Sequence, residues 1–158
     1  MVTIYTDGAS RGNPGPGGYG VVLKYRDQRK ELTAGFKLTT NNRMELLAVI
    51  VGLEALKKTK QVVTIYSDSK YVIDAVQKGW LLSWLRKNFK GKKNADLWKR
   101  FWALYQRHHI RFCWVKGHTG DVENERCDQL AVRSAQYAML HTDQGYLDGL
   151  QDTCVATA

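Results

Sequence analysis

The chain has little that would staple it covalently or carry it across a bilayer. Its 158 residues include three cysteines, Cys113, Cys127 and Cys154, and no two of them form a C-x-x-C pair. An odd count in a chain long enough to build its own core argues against a disulfide framework and suits a reducing compartment. No apolar run approaches the roughly 20 residues needed to span a bilayer, and the opening segment Met1 to Ser10 has neither the basic start nor the apolar stretch of a signal peptide. The expectation is a soluble, cytoplasmic protein. Only two prolines occur, Pro14 and Pro16, both within the glycine-rich stretch 12–18. Repeats, low-complexity tracts and interdomain linkers are missing, so one domain is expected over residues 1–140. Residues 141–158 show little periodicity and several turn formers, and are expected to be a loosely ordered tail.

Acids are also in short supply. Fifteen Asp and Glu stand against 24 Lys and Arg, a formal charge of +9, which points to a polyanionic partner, either nucleic acid or an anionic membrane surface. The excess is concentrated. Between Lys78 and Arg111 lie ten Lys and Arg and a single acid, Asp96, so this segment alone carries the whole net charge. A concentrated basic stretch is the mark of a docking site more than of an ordinary solvated face.

Hydrophobic patterning gives a mixed architecture. Val2 to Asp7 is β-branched and aromatic with alternating character and reads as a strand ending in a carboxylate; two further strands follow over Tyr19 to Tyr25 and Glu31 to Leu38. From Asn42 to about Lys58 the residues are apolar nearly all round a helix, which implies burial. Val62 to Tyr66 is a second strand that ends in a carboxylate, at Asp68, with Ser69 or Asp68 able to cap a helix from Lys70. A helix over Asp96 to Arg107, a strand over Ile110 to Val115 and a helix from about Glu123 to Met139 complete the pattern. Short strands in succession suggest an antiparallel meander, and the later alternation of strand and helix suggests parallel sheet.

Within this frame Asp7, Glu45, Asp68 and Asp128 are badly placed for solvated charges. Each has an ordinary explanation: a turn or cap for Asp7 and Asp68, a capping-box acid behind Asn42 for Glu45, an ion pair with Arg126 or Arg133 for Asp128. Their number is what needs a reason, because ionised carboxylates are seldom buried unless paired or bound to a cation. In a strongly basic chain without a Cys or His cluster, oxygen ligands for a hard divalent metal and a phosphate-containing substrate account for all four.

Five segments then carry a family resemblance: Thr6 to Ser10 with Gly12-Asn13-Pro14-Gly15, Thr40 to Glu45, Ser67 to Val72, Val115-Lys116-Gly117-His118, and Glu123 to Asp128. In this order and spacing they resemble the successive motifs of the type 1 ribonucleases H, including the bacterial enzymes, over about residues 2 to 138. The resemblance implies the ribonuclease H fold, an α/β arrangement with a five-stranded mixed sheet, three antiparallel strands then two parallel ones, and helices on both faces. It implies a monomeric endonuclease that cuts the RNA strand of RNA–DNA hybrids to 5′-phosphate and 3′-hydroxyl ends. Asp7, Glu45, Asp68 and Asp128 would hold two Mg2+ ions, with Mn2+ as a substitute, and His118 would move a proton or help product leave.

The resemblance also distributes the substrate contacts. Backbone groups near Ser10 and Asn13, with Asn41, Asn42 and Glu45, would read 2′-hydroxyls and adjoining phosphates, the 2′-hydroxyl being what separates RNA from DNA. Thr40 and Asn94 would help bind a phosphate of the DNA strand. Trp80, Trp84, Arg86 and Lys87 belong to a stretch resembling the basic protrusion with which some type 1 enzymes grip the hybrid. Trp98, Phe101, Trp102 and Tyr105, at i, i+3, i+4 and i+7, are read as core. The rival readings are a non-catalytic hybrid-binding module, which predicts a missing acid, another nuclease or transposase of the same fold, and a membrane-surface protein, which would need a clean amphipathic helix separate from the core.

Overall fold

The computed structural model describes residues 1–116, 120–137 and 139–157. Strand β1 (Val2–Ser10) pairs antiparallel with β2 (Gly15–Tyr25), which pairs antiparallel with β3 (Gln28–Thr39). On its other side β1 pairs parallel with β4 (Val62–Ser67), and β4 parallel with β5 (His109–Trp114). The sheet order is therefore β3-β2-β1-β4-β5, with β1 at its centre, which is the mixed sheet expected from the sequence.

Residues alternate across a strand, so the two faces of β1 take different partners. Val2, Ile4 and Thr6 are buried on the face covered by helix α1 (Asn41–Glu54), while α5 (Val122–Ser134) covers the other face of β1 and β2. Helix α1 is buried along almost its whole length, from Arg43 to Leu53, as its all-round apolar sequence required. Helices α2 (Lys70–Gln77), α3 (Trp80–Arg86) and α4 (Ala95–Tyr105) follow β4. Trp98 and Phe101 of α4 are fully buried, and Trp102 and Tyr105 pack at the edge of the same core.

The structure differs from the sequence reading at several places, among them β1, which runs on past Asp7 to Ser10 because it stays paired with β2, and α5, which ends at Ser134 and not at Met139. Strand β2 begins at Gly15, inside the stretch read as turn, because glycines at 17, 18 and 20 let α1 and α5 close directly on the strand backbone. The basic segment contains a separate short helix, α3, bounded by left-handed residues at Gly79, Asn88, Phe89 and Gly91 that interrupt any longer helix. Residues 141–158 begin as a docked segment: His141 bridges to Phe36, Asp143 is buried, and helix α6 (Gln144–Thr157) follows. Among the described residues no helix is long and apolar enough to cross a membrane.

Candidate active site

Two carboxylates are brought level by strand register. Strands β1 and β4 pair in parallel from Val2 opposite Val63 to Tyr5 opposite Tyr66. Continuing that register by two residues sets Asp7 beside Asp68, at the strand spacing of about 4.8 Å. Asp68 directly follows β4 and Asp7 lies past the last β1–β4 pair, so both sit at the carboxyl-terminal edge of the parallel pairing, the end at which open α/β sheets place their sites. Ser69, the N-cap of α2, accepts a hydrogen bond from the Val72 amide, so Asp68 is not needed as a cap.

The third comes from α1, and Gly8 makes room for it. A Cβ built on Gly8 would stand 2.3 Å from the Glu45 nitrogen and 2.3 Å from the Met44 carbonyl carbon. Only glycine allows α1 so close to β1, and the Gly8 amide then donates a hydrogen bond to Glu45 Oε1. Thr40 is the N-cap of α1, its hydroxyl accepting from the Arg43 amide. Glu45 therefore serves no cap. Carboxylate oxygens of Asp7, Glu45 and Asp68 all lie within 4.8 Å of one another, a grouping that could hold a metal ion.

Asp128, from α5, completes the acidic wall. Arg126, a partner considered for it, turns instead to Glu31 in a two-point contact at 2.8 and 3.0 Å, and among the described residues Asp128 makes no ion pair. The four acids line one open groove of about 450 Å3 together with Gly8, Ala9, Asn41, Asn42, Ser69, Lys70 and Tyr71.

Concentrating acids at low solvation changes their proton affinity. Burial, with the negative charges of Asp68 and Asp128 nearby, pushes the Asp7 carboxyl up to about 7, although its contacts with Glu45 and the Gly8 amide oppose the rise. Burial and the neighbouring Asp7 and Asp68 carboxylates push Glu45 well above the usual carboxylate range. Without a cation the site therefore holds protons near neutrality.

Of the expected substrate residues other than Glu45, Asn41 and Asn42 line this groove and the others lie outside its lining. Ser10 ends β1 opposite Gly17. The Asn13 carbonyl Oδ1 accepts from the Asn41 amide at 3.0 Å and ties the glycine-rich turn to the start of α1, where Asn41 and Asn42 are exposed. Asn94, left-handed at φ 62°, donates from Nδ2 to the Tyr71 hydroxyl at 3.0 Å. Trp80 is 44% exposed with Lys78 Nζ 5.3 Å from its ring centroid, and Arg86 and Lys87 are exposed. Trp84 is partly buried, edge-on to Trp98 at 5.5 Å, with Lys92 Nζ 5.3 Å from its ring. His118 lies outside the described residues. Sequence reasoning did not single out Lys70 and Tyr71, which line the groove; their positions directly after the second strand-end carboxylate were the available signal.

A mixed sheet in this order, with carboxylates collected at the ends of two central parallel strands and joined by one acid from a helix on each face, defines a protein of the ribonuclease H-like class. The family model RNase H matches residues 1–136, and the chain belongs to that family. It is 53% identical over 150 residues to the Ribonuclease H of Trichodesmium erythraeum (strain IMS101), covering 92% of this chain and 95% of that relative. Among solved structures it is similar to LC9-RNase H1, a type 1 RNase H with the type 2 active-site motif, with a TM-score of 0.77 and 32% identity over 85% of this chain and 72% of that one. It is also similar to LC11-RNase H1 in complex with RNA/DNA hybrid, with a TM-score of 0.68 and 25% identity over 86% of this chain and 97% of that one.

Proposed function

We infer that this chain is an endonuclease that hydrolyses the RNA strand of RNA–DNA hybrids, and that Asp7, Glu45, Asp68 and Asp128 hold magnesium for the purpose. The observation that carries the reading is the convergence of these four carboxylates in one groove of a protein whose net charge is +9. The donor set fits the ion: all ligands are oxygen, which suits a hard divalent cation, and the burial and neighbouring carboxylate charge that raise Asp7 and Glu45 are what a cation would offset. When bound in pairs, such ions supply an activated water and stabilise the leaving oxygen, giving 5′-phosphate and 3′-hydroxyl ends.

The chain's own residues bind and orient. Glu45 lines the groove and is held there by the Gly8 amide, which fixes Oε1. The exposed Asn41 and Asn42 line the groove, their carboxamides able to donate to and accept from 2′-hydroxyls, and the backbone groups near Ser10 and Asn13 are assigned to the same strand, Asn13 being tied to Asn41 through the Asn41 amide. Thr40 and Asn94 take a phosphate of the DNA strand. His118 carries the proton-moving role on the strength of its motif. We also read the protein as a cytoplasmic monomer, since one chain supplies the whole groove and Cys113 and Cys127 are free thiols.

Trp80, Arg86 and Lys87 grip the duplex away from the groove, whereas Trp84 serves mainly to support them through Trp98. Replacing Arg86 and Lys87 with alanine is expected to raise KM about tenfold at physiological salt with kcat nearly unchanged. The slope of log KM against log salt should flatten by about 1 for each phosphate that is no longer neutralised. A KM series from 50 to 200 mM salt measures both.

The metal assignment is tested by cleavage of a 5′-labelled hybrid with magnesium, with manganese and with EDTA, followed by phosphatase and ligase treatment of the products. Cleavage is expected with either metal and none with EDTA, with ligatable 5′-phosphates on the fragments. Cleavage undiminished by EDTA would remove the metal from the reaction.

A further inference from the structure

Arg43 is 3% exposed, and its surroundings are built from three distant parts of the chain. Nε donates to Asp143 Oδ2 at 2.9 Å and Nη2 to Asp143 Oδ1 at 3.0 Å; Nη1 and Nη2 donate to Asp96 at 2.9 and 2.8 Å. Asp143 is itself buried and accepts from the Thr39 hydroxyl at 2.6 Å and the Tyr146 amide at 3.2 Å, so the segment after residue 140 is fastened here. Gly145 packs against the same group: a Cβ there would lie 2.1 Å from Asp96 Oδ2 and 2.7 Å from Arg43 Nη2.

What distinguishes this ion triad from a structural staple is what else Arg43 touches. Its amide donates to the Thr40 hydroxyl at 3.3 Å, and its Nη1 donates to Asn94 Oδ1 at 3.2 Å. The second contact sets which way the Asn94 carboxamide faces, with Oδ1 turned to Arg43 and Nδ2 turned to the Tyr71 hydroxyl. A buried guanidinium held at both forks by carboxylates has one position, and a carboxamide hydrogen-bonded to it inherits that position.

We propose that Asp143 is a positioning residue for substrate binding: through Arg43 it orients Asn94 beside Thr40, so that the C-terminal segment sets the affinity for the DNA strand. This rests on the reading above that Thr40 and Asn94 take a DNA-strand phosphate. Removing the Asp143 charge leaves Arg43 underpaired and free to lean toward Asp96, which is half-exposed, carrying Asn94 with it.

The test is a double-mutant cycle on hybrid cleavage with Asp143→Asn, Asn94→Ala and the pair, reading KM and kcat at saturating substrate alongside Tm. Asp143→Asn is expected to raise KM about fivefold with kcat within about twofold, and to add almost nothing to KM once Asn94 is alanine. Gly145→Ala, whose methyl would press on Asp96 and the Arg43 guanidinium, should raise KM similarly and serves in place of Asp143→Asn should that variant fold poorly. If Asn94→Ala alone leaves KM unchanged, the phosphate reading fails and the proposal with it. If Asn94→Ala raises KM but the effect of Asp143→Asn is absent, or multiplies in full on top of it, the phosphate reading stands and the positioning role is wrong.

Discussion

Asp7→Asn is expected to lower kcat by roughly 10^3-fold or more, because it removes the central metal-facing charge while keeping the shape of the side chain. Hybrid affinity in EDTA should stay within a few-fold of wild type, since the basic segment and the α1 start are untouched. The same substitution should remove a pH dependence of stability. The folded protein holds the Asp7 proton up to about 7, above the unfolded value of about 3.9, so it binds that proton more tightly than the unfolded chain does. The resulting stabilisation is fully present below pH 4 and is lost as pH rises through about 7. Between pH 6 and 8 the metal-free wild type should lose about 1.4 kcal/mol, or roughly 4 °C in Tm, and Asp7→Asn should lose much less. Metal-free melts of both proteins across that range, paired with cleavage assays, check the charge argument and the catalytic argument separately.

Gly8→Ala is the second large effect. The added methyl would meet backbone atoms of Met44 and Glu45 at 2.3 Å, and backbone cannot step aside as a flexible side chain can. Helix α1 must move off β1, costing about 3 kcal/mol and roughly 10 °C in Tm. Activity should fall at least about 100-fold at temperatures where the protein is still folded, because Glu45 moves with the helix. Activity near wild type in a folded Gly8→Ala protein would mean that Glu45 tolerates displacement and is not a ligand held to tight geometry.

Much of this was legible in the chain because its signals are local. A β-branched run stopping at an aspartate marked both Asp7 and Asp68, and the apolar circumference of α1 made Glu45 conspicuous as an acid with nothing to solvate it. The antiparallel half followed from short strands in succession and the parallel half from strands alternating with helices, whereas the placing of β1 at the centre had no local signal. Gly17 and Gly18 of β2 were read as turn because glycine ordinarily interrupts strands; here they answer to helices that arrive more than 20 and 100 residues later in the chain, which no local window contains. Asp143 was opaque for the same reason. Its partner Arg43 is 100 residues away, and the segment around it has turn formers and no apolar period. One sequence feature bore on it: Asp96 stands as the single acid among ten cations, and the structure pairs it with Arg43.

The central claim is strand-selective cleavage. The measurement that tests it most directly is to label each strand of one sequence in turn and present it as RNA–DNA hybrid, double-stranded RNA, single-stranded RNA and duplex DNA, with magnesium present. Cutting of the RNA strand of the hybrid alone is expected, the DNA strand and the other three substrates remaining intact. Tight binding of the hybrid without cutting, or equal cutting of double-stranded RNA, would contradict it.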